Sequence, residues 1–203
     1  FAQRDPGISA VLVLLGVEGK LPTLAHHNLL MSRDWDADFA AVFDNPGSMQ
    51  ASQSIYVSKP SASDQTVAPE GCENLFVFIP VASNTSIGHG NTYRQEESPI
   101  VRTIASAAVR QIAEWANIPN LVDRVIIRRT IGPQDFEERY YSWQGGALGP
   151  SHTLTQSAFF RGKNISRRVI GLLYVGGTIA PGVGVPMCLI SAENILTRLG
   201  IKP

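Results

Sequence analysis

The sequence predicts an α/β protein of the mixed-sheet (α+β) kind, followed by a shorter strand–loop–helix tail. Three observations carry this. Ile8 to Val17 and Leu75 to Val81 are nearly unbroken apolar runs rich in β-branched and aromatic residues, the pattern of central strands. From Pro99 onward, Val101, Ile104, Ala105, Ala108, Val109, Ile112 and Ala116 recur with helical period. Strands and helices alternate along the chain, but without the regularity of a βαβ repeat.

Taken in order, Ile8 to Val17 is expected as a strand covered on both faces, and Gly19 to Pro22 as a turn. Leu24 to Met31 reads as a second strand. Asp34 to Phe43 places Trp35, Phe39, Val42 and Phe43 at helical spacing, with acids in the first turn and Asn45-Pro46-Gly47 as the stop. Ser54 to Ser58 alternates as a short strand, Lys59 to Gly71 reads as loop, and Leu75 to Val81 is buried strand with Pro80 near its end. Ala82 to Arg94 is polar enough for surface loop. Ser98 as N-cap and Pro99 at the first helical position open the long helix, which Ile118-Pro119-Asn120 ends. Val122 to Thr130 reads as strand, Pro133 to Tyr140 as a short helix, and Gly145 to Pro150 as flexible loop. Thr153 to Phe160 fits no single element, and Arg161 to Arg168 is a basic connector.

The composition narrows the function. Of 203 residues, 44% are hydrophobic and 17% charged, enough for a sizeable core and unlike a disordered chain. The 17 Lys+Arg balance the 17 Asp+Glu, so no basic field exists to draw nucleic acid, and that class of partner is set aside. Cys72 and Cys188 stand far apart without metal-ligand spacing and read as buried free thiols. The longest obvious apolar run, Ala10 to Leu15, is too short to cross a bilayer. The chain begins with Phe1, and no dinucleotide fingerprint follows its first strand; the expectation is a piece of a longer protein.

The stretch with the most chemistry is Leu172 to Gly200. Leu172 to Val175 reads as a buried strand, Gly176 to Gly184 as a loop with four glycines and Pro181, and Val185 to Leu199 as a helix with Pro186 in its first turn. Glycines let a ligand approach the backbone closely. A helix N-terminus offers unpaired N–H groups and a partial positive charge. Together they can seat a phosphate or the N1–C2=O edge of a flavin; an ordinary βα turn with structural glycines is the other reading.

Elsewhere the signals are weaker. His26, His27, His89 and His152 are scattered and no nucleophile elbow is present, so no catalytic residue is assigned. On a strand, His26 and His27 would face opposite ways, which argues for a polar rim or core histidine over a metal site. Arg124, Arg128 and Arg129 read as a phosphate clamp or as a solvated strand edge. Leu154 to Arg161 reads as a ligand-slot lining or an amphipathic strand.

Four segments together resemble a known family. Leu24-Ala25-His26-His27-Asn28, Ala68-Pro69-Glu70-Gly71-Cys72, Leu154-Thr155-Gln156-Ser157-Ala158-Phe159-Phe160-Arg161 and Val175-Gly176-Gly177 through Pro181-Gly182-Val183-Gly184-Val185-Pro186 stand in the order found in the bacterial carotenoid desaturases of the phytoene desaturase type. The chain resembles the C-terminal half of those FAD-dependent oxidoreductases. Ala180 stands where the family often has histidine, and Met187 where it usually has glycine.

The resemblance implies a flavin-binding fold of the glutathione-reductase type, with the N-terminal Rossmann part missing from this chain. Residues 1–140 would form a substrate-binding domain and 141–203 the C-terminal part of the FAD-binding domain. It counts Gly176 among the cofactor contacts, places Gly177 and Thr178 near the ribityl diphosphate, and puts Gly184, Val185, Pro186 and Met187 under the flavin ring. The implied activity is desaturation of a carotenoid precursor such as phytoene, an apolar polyene, by a cytoplasmic protein in peripheral contact with the inner face of a membrane. A non-catalytic unit that binds an apolar ligand or partner, and an amine-oxidase-like flavoenzyme of the same fold, are the alternatives.

Overall fold

A computed structural model describes residues 4–45, 47–94 and 96–201. The expected stop at Pro46 lies outside them. The chain divides into two compact units: Ile8–Ala147, and a second unit that begins at Leu148 and takes in the residues before Ile8.

The first unit is built on one antiparallel sheet with strand order β2-β3-β4-β1-β5, formed by β1 (Ile8–Glu18), β2 (His27–Leu30), β3 (Ile55–Ser58), β4 (Cys72–Ala82) and β5 (Val125–Ile131). The two long apolar runs pair with each other at the centre, Val13 opposite Val77 and Leu15 opposite Leu75. Helix α1 (Trp35–Phe39) runs into a π-helical turn at Ala40–Asp44. Its N-cap is Asp34, whose carboxylate accepts the Ala37 N–H.

Helix α2 (Pro99–Trp115) lays its apolar stripe on one sheet face. Val101, Ala105 and Ile112 are fully buried against Val11, Val13, Val17, Val77 and Ile79. Each such aliphatic side chain contributes roughly 1.5–3 kcal/mol, which makes this layer the main source of the unit's stability. Ser98 occupies the N-cap position but does not cap through its side chain. Its hydroxyl instead accepts the His89 N–H, tying down the preceding loop.

That loop is not the surface segment its polarity predicts. Ile87, Gly88 and Gly90 are buried against the end of β5. Helix α3 (Pro133–Tyr140) follows β5, and Asp135 in its first turn accepts the N–H groups of Gly90 and Gly132 at 2.7 and 2.8 Å. Of the three arginines around β5, Arg129 is exposed, whereas Arg124 and Arg128 are engaged by the protein itself. Arg124 donates to the Glu18 and Lys20 carbonyls, and Arg128 to the buried carboxylate of Glu97 at 2.6 Å and to Ser106.

The expectation that β1 is covered on both faces is corrected. Val11, Val13, Leu15 and Val17 are buried under α2, whereas Leu12 and Leu14 on the opposite face are half-buried. The amphipathic 17-residue helix α2 covers one face of the five-stranded sheet; on the other face Leu12, Leu14, Phe76 and Phe78 are half-buried, and the Ile8–Pro80 end packs against the π-helical turn.

In the second unit, helix α4 (Val185–Arg198) forms where expected. The strand predicted over Leu172 to Val175 does not. Leu173 makes a single isolated bridge to Ile165, and Leu172, Tyr174 and Val175 are exposed. A strand requires a ladder of partners, and among the described residues this segment has only that short one. Leu154 to Arg161 is turn and 3-10 helix, with Leu154, Phe159 and Phe160 outward and Gln156 and Arg161 buried, so it is not an amphipathic strand. Both cysteines are free and half-buried rather than core thiols.

Candidate functional site

Two surfaces carry chemistry, one in each unit. In the second unit, all seven residues singled out for cofactor contact lie on the turn into α4. Gly176, Gly177 and Met187 are half-buried; Thr178, Gly184, Val185 and Pro186 are exposed. Gly176, Gly182 and Gly184 have φ of 128°, 151° and 111°, a region that side chains with a Cβ rarely adopt. Gly184 is the N-cap of α4 and offers no side chain to satisfy the first turn. Pro186 has no N–H, so the groups that point past the helix end are those of Val185 and Met187.

Two buried polar side chains hold this turn. Arg161, 3% exposed, donates through Nε to the Ile179 carbonyl at 3.3 Å, through Nη2 to the Gly177 carbonyl at 2.6 Å, and through Nη1 to the Pro150 carbonyl at 3.5 Å. Burial, and then the nearby charge of Arg4, push its pKa downward. Asn164 donates to the carbonyls of Tyr174 and Ala180 and to the Ser191 hydroxyl, which in turn accepts the Gly176 N–H. From the sequence, Arg161 is only the end of a motif and the start of the basic connector that contains Asn164; both are in fact buried, and Ser191 is not singled out. An arginine and an asparagine among small residues give no periodic signal, and their partners are backbone carbonyls distant in sequence.

The turn fits a flat or anionic group. A Cβ built on Gly176 meets nothing within 4 Å, and one on Gly184 meets only the Pro186 Cδ at 4.0 Å. The glycines therefore bare backbone outward, beside N–H donors and an electropositive helix end.

The second surface is the sheet face opposite α2 in the first unit. Register places Leu29, Tyr56, Phe78, Leu12 and Ile131 in one row across all five strands. At about 4.8 Å per strand step, such a row extends roughly 19 Å. The next row holds His27, Ser58, Phe76, Leu14 and Arg129. Tyr56 packs edge-on to Phe76 with ring centroids 6.4 Å apart, and its hydroxyl meets His27 Nδ1 at 2.7 Å.

At one end of this face, Trp35, Phe39 and Phe43 form an aromatic comb, each about half exposed at 47%, 52% and 49%. With Ile8, Val42 and Pro80 they line a cavity of about 170 Å³. Asp38 anchors the comb from beneath. Burial works to raise its carboxyl, but bonds from Ser54, Gln53 and Ser52 outweigh that and hold its pKa below the usual value.

His26 and His27 do not face opposite ways. Their rings lie 4.3 Å apart, and His26 Nδ1 meets the Ser63 hydroxyl at 2.7 Å. His26 precedes β2 rather than sitting in it, so strand alternation does not apply to the pair. Among the described residues no group of three or more His, Cys, Asp or Glu is placed to hold a metal ion.

No protein-family model matches the chain. Curated proteins do. Over 191 residues, 94% of this chain and 36% of the relative, it is 40% identical to a carotenoid 3,4-desaturase of Haloarcula japonica. It is 31% identical over 192 residues to a zeta-carotene-forming phytoene desaturase of Myxococcus xanthus, covering 94% of this chain and 35% of that protein. It is 29% identical over 193 residues to a 4,4'-diapophytoene desaturase of Staphylococcus aureus, covering 95% and 38%. The chain therefore spans a little over a third of the length of the curated relatives it matches.

Proposed function

We propose that this homologue of the carotenoid desaturases is part of a flavoenzyme that removes hydrogen from a carotenoid precursor. The observation that carries the reading is the sheet face opposite α2: a row of apolar side chains across five strands, ending in an aromatic comb carried by α1 and the π-helical turn. A polyene has no acidic proton and few polar handles, so recognition must come from apolar contact along its length. The row Leu29–Tyr56–Phe78–Leu12–Ile131 is the proposed track.

In this reading the turn from Gly176 to Met187 seats FAD within a glutathione-reductase-type fold. Gly176, Gly177 and Thr178 lie at the diphosphate end, and Gly184, Val185, Pro186 and Met187 at the ring. When bound, the flavin supplies the acceptor for the hydride taken from the substrate. The chain's own contribution is to orient the polyene, keep water away from the reacting bond and present N–H donors where negative charge develops. Residues 1–140 then serve the substrate and 141–203 the cofactor. No described helix is long and apolar enough to cross a membrane; peripheral contact with a lipid surface, where such substrates reside, completes the proposal.

Leu12→Asn tests the track. Leu12 is half-buried, beside Phe78 at the centre of the row, and is not part of the cofactor turn. Loss of its apolar contact is expected to lower kcat/KM for the polyene about tenfold or more, with the flavin content of the full-length protein unchanged. Unchanged kinetics would remove the sheet face from the substrate path.

A further inference from the structure

Arg161 is almost wholly buried, and among the described residues no carboxylate lies within ion-pair reach of it. Its protein acceptors are three carbonyls, with His152 Nε2 at 3.5 Å from Nη1 as a further polar neighbour. Buried charges are ordinarily paired, because an uncompensated one is costly.

Two glycines pack beside the guanidinium. A Cβ on Gly149 would lie 3.8 Å from Arg161 Nη2 and 3.7 Å from the Thr178 Cα, and one on Gly182 would lie 3.9 Å from Nε. The side chain also fixes which way the turn's peptides face. In a trans peptide, C=O and N–H point in opposite directions. The Gly177 carbonyl is drawn inward to Nη2, so the Thr178 N–H is turned outward. Among the described residues, neither that N–H nor the Thr178 hydroxyl has a partner, and Thr178 is exposed. The neighbouring Ile179–Ala180 peptide follows the same logic: its carbonyl faces Arg161, and its N–H, directed away, reaches the Gly162 carbonyl at 2.8 Å.

We propose that Arg161 is the positioning residue of a phosphate-class anion site: it turns the Thr178 N–H and hydroxyl outward, and its charge, unmatched by any carboxylate among the described residues, adds to their pull. This rests on the flavin reading and identifies the anion as the diphosphate of the dinucleotide. The site is separate from the end of α4, because its donors belong to Thr178 and its charge to Arg161.

The test uses the full-length protein freed of cofactor and titrated with FAD, with inorganic pyrophosphate as competitor. Arg161→Gln, which keeps donors but loses charge, is expected to weaken both about tenfold, the size of one lost charge-assisted contact. Arg161→Lys, which keeps the charge but cannot reach all three carbonyls at once, is expected to weaken both less than Arg161→Gln does. Equal weakening by both substitutions would make Arg161 a purely structural residue, and wild-type affinity in Arg161→Gln would remove it from the site; either overturns the proposal. Should Arg161→Gln fail to fold, Thr178→Pro, which deletes the outward N–H at an exposed position, must weaken pyrophosphate; unchanged competition overturns the proposal. A wild-type protein that takes up no FAD at all overturns the flavin reading itself, whereas the variant outcomes bear on Arg161 alone.

Discussion

Full-length protein carrying Gly184→Val is expected to fold and to purify with little or no flavin. Gly184 has φ of 111°, where a β-branched residue is strained by about 1–3 kcal/mol. The strain falls at an exposed helix cap, and the only heavy atom near a new Cβ is the Pro186 Cδ at 4.0 Å. The protein can therefore accommodate the side chain. A ligand lying on the first-turn N–H groups of Val185 and Met187 cannot, because the isopropyl group would stand in front of them. The check is the flavin-to-protein ratio after denaturation, set beside the melting temperature. A normal ratio would mean that the ring does not lie at this helix end.

The largest structural effect is expected from Gly90→Ala. Gly90 does not need positive φ; it needs the absence of a side chain. A Cβ there would lie 2.0 Å from the Thr130 carbonyl oxygen and 2.5 Å from the Ile131 nitrogen, both backbone atoms of β5. Relief requires moving β5 or the loop, and moving the loop breaks the bond from the Gly90 N–H to Asp135. The loss should be on the order of 3 kcal/mol or more, at the upper end for overpacking. Gly71→Ala is the matched control. Its φ is +77° and a Cβ there meets nothing within 4 Å, so only backbone strain of about 1–2 kcal/mol applies. Thermal unfolding of the two variants should show a far larger drop for Gly90→Ala; equal drops would mean that the loop yields easily.

These two glycines mark what could be read from the residues alone. Gly184 was legible because proline in a first turn and glycine just before it form a local pattern. Gly90 was not, since its partner Thr130 is forty residues away in sequence and the loop reads as polar and exposed. The central strands and α2 were legible because their apolar residues keep a clean period. The half-buried sheet face was hidden by that same clarity: a continuous apolar run such as Ile8 to Val17 looks alike whether one face or both are covered. The clue was the supply of covering helices, since among the described residues of the first unit Pro99–Trp115 is the one long amphipathic helix. The strand over Leu172 to Val175 failed for the complementary reason. Its composition favours β structure, but composition does not supply a neighbouring ladder. At the turn, the glycines were read correctly as bare backbone, while the buried side chains that orient it, Arg161 and Asn164, carry no local signature.

The most direct measurement is the visible spectrum of the full-length protein under anaerobic conditions as substrate is added. The account predicts a flavin band near its oxidised maximum that bleaches when a hydrocarbon carotenoid precursor is supplied in detergent or lipid, and that does not respond to a primary amine. A colourless protein, or a flavin that bleaches with the amine and ignores the polyene, would contradict it.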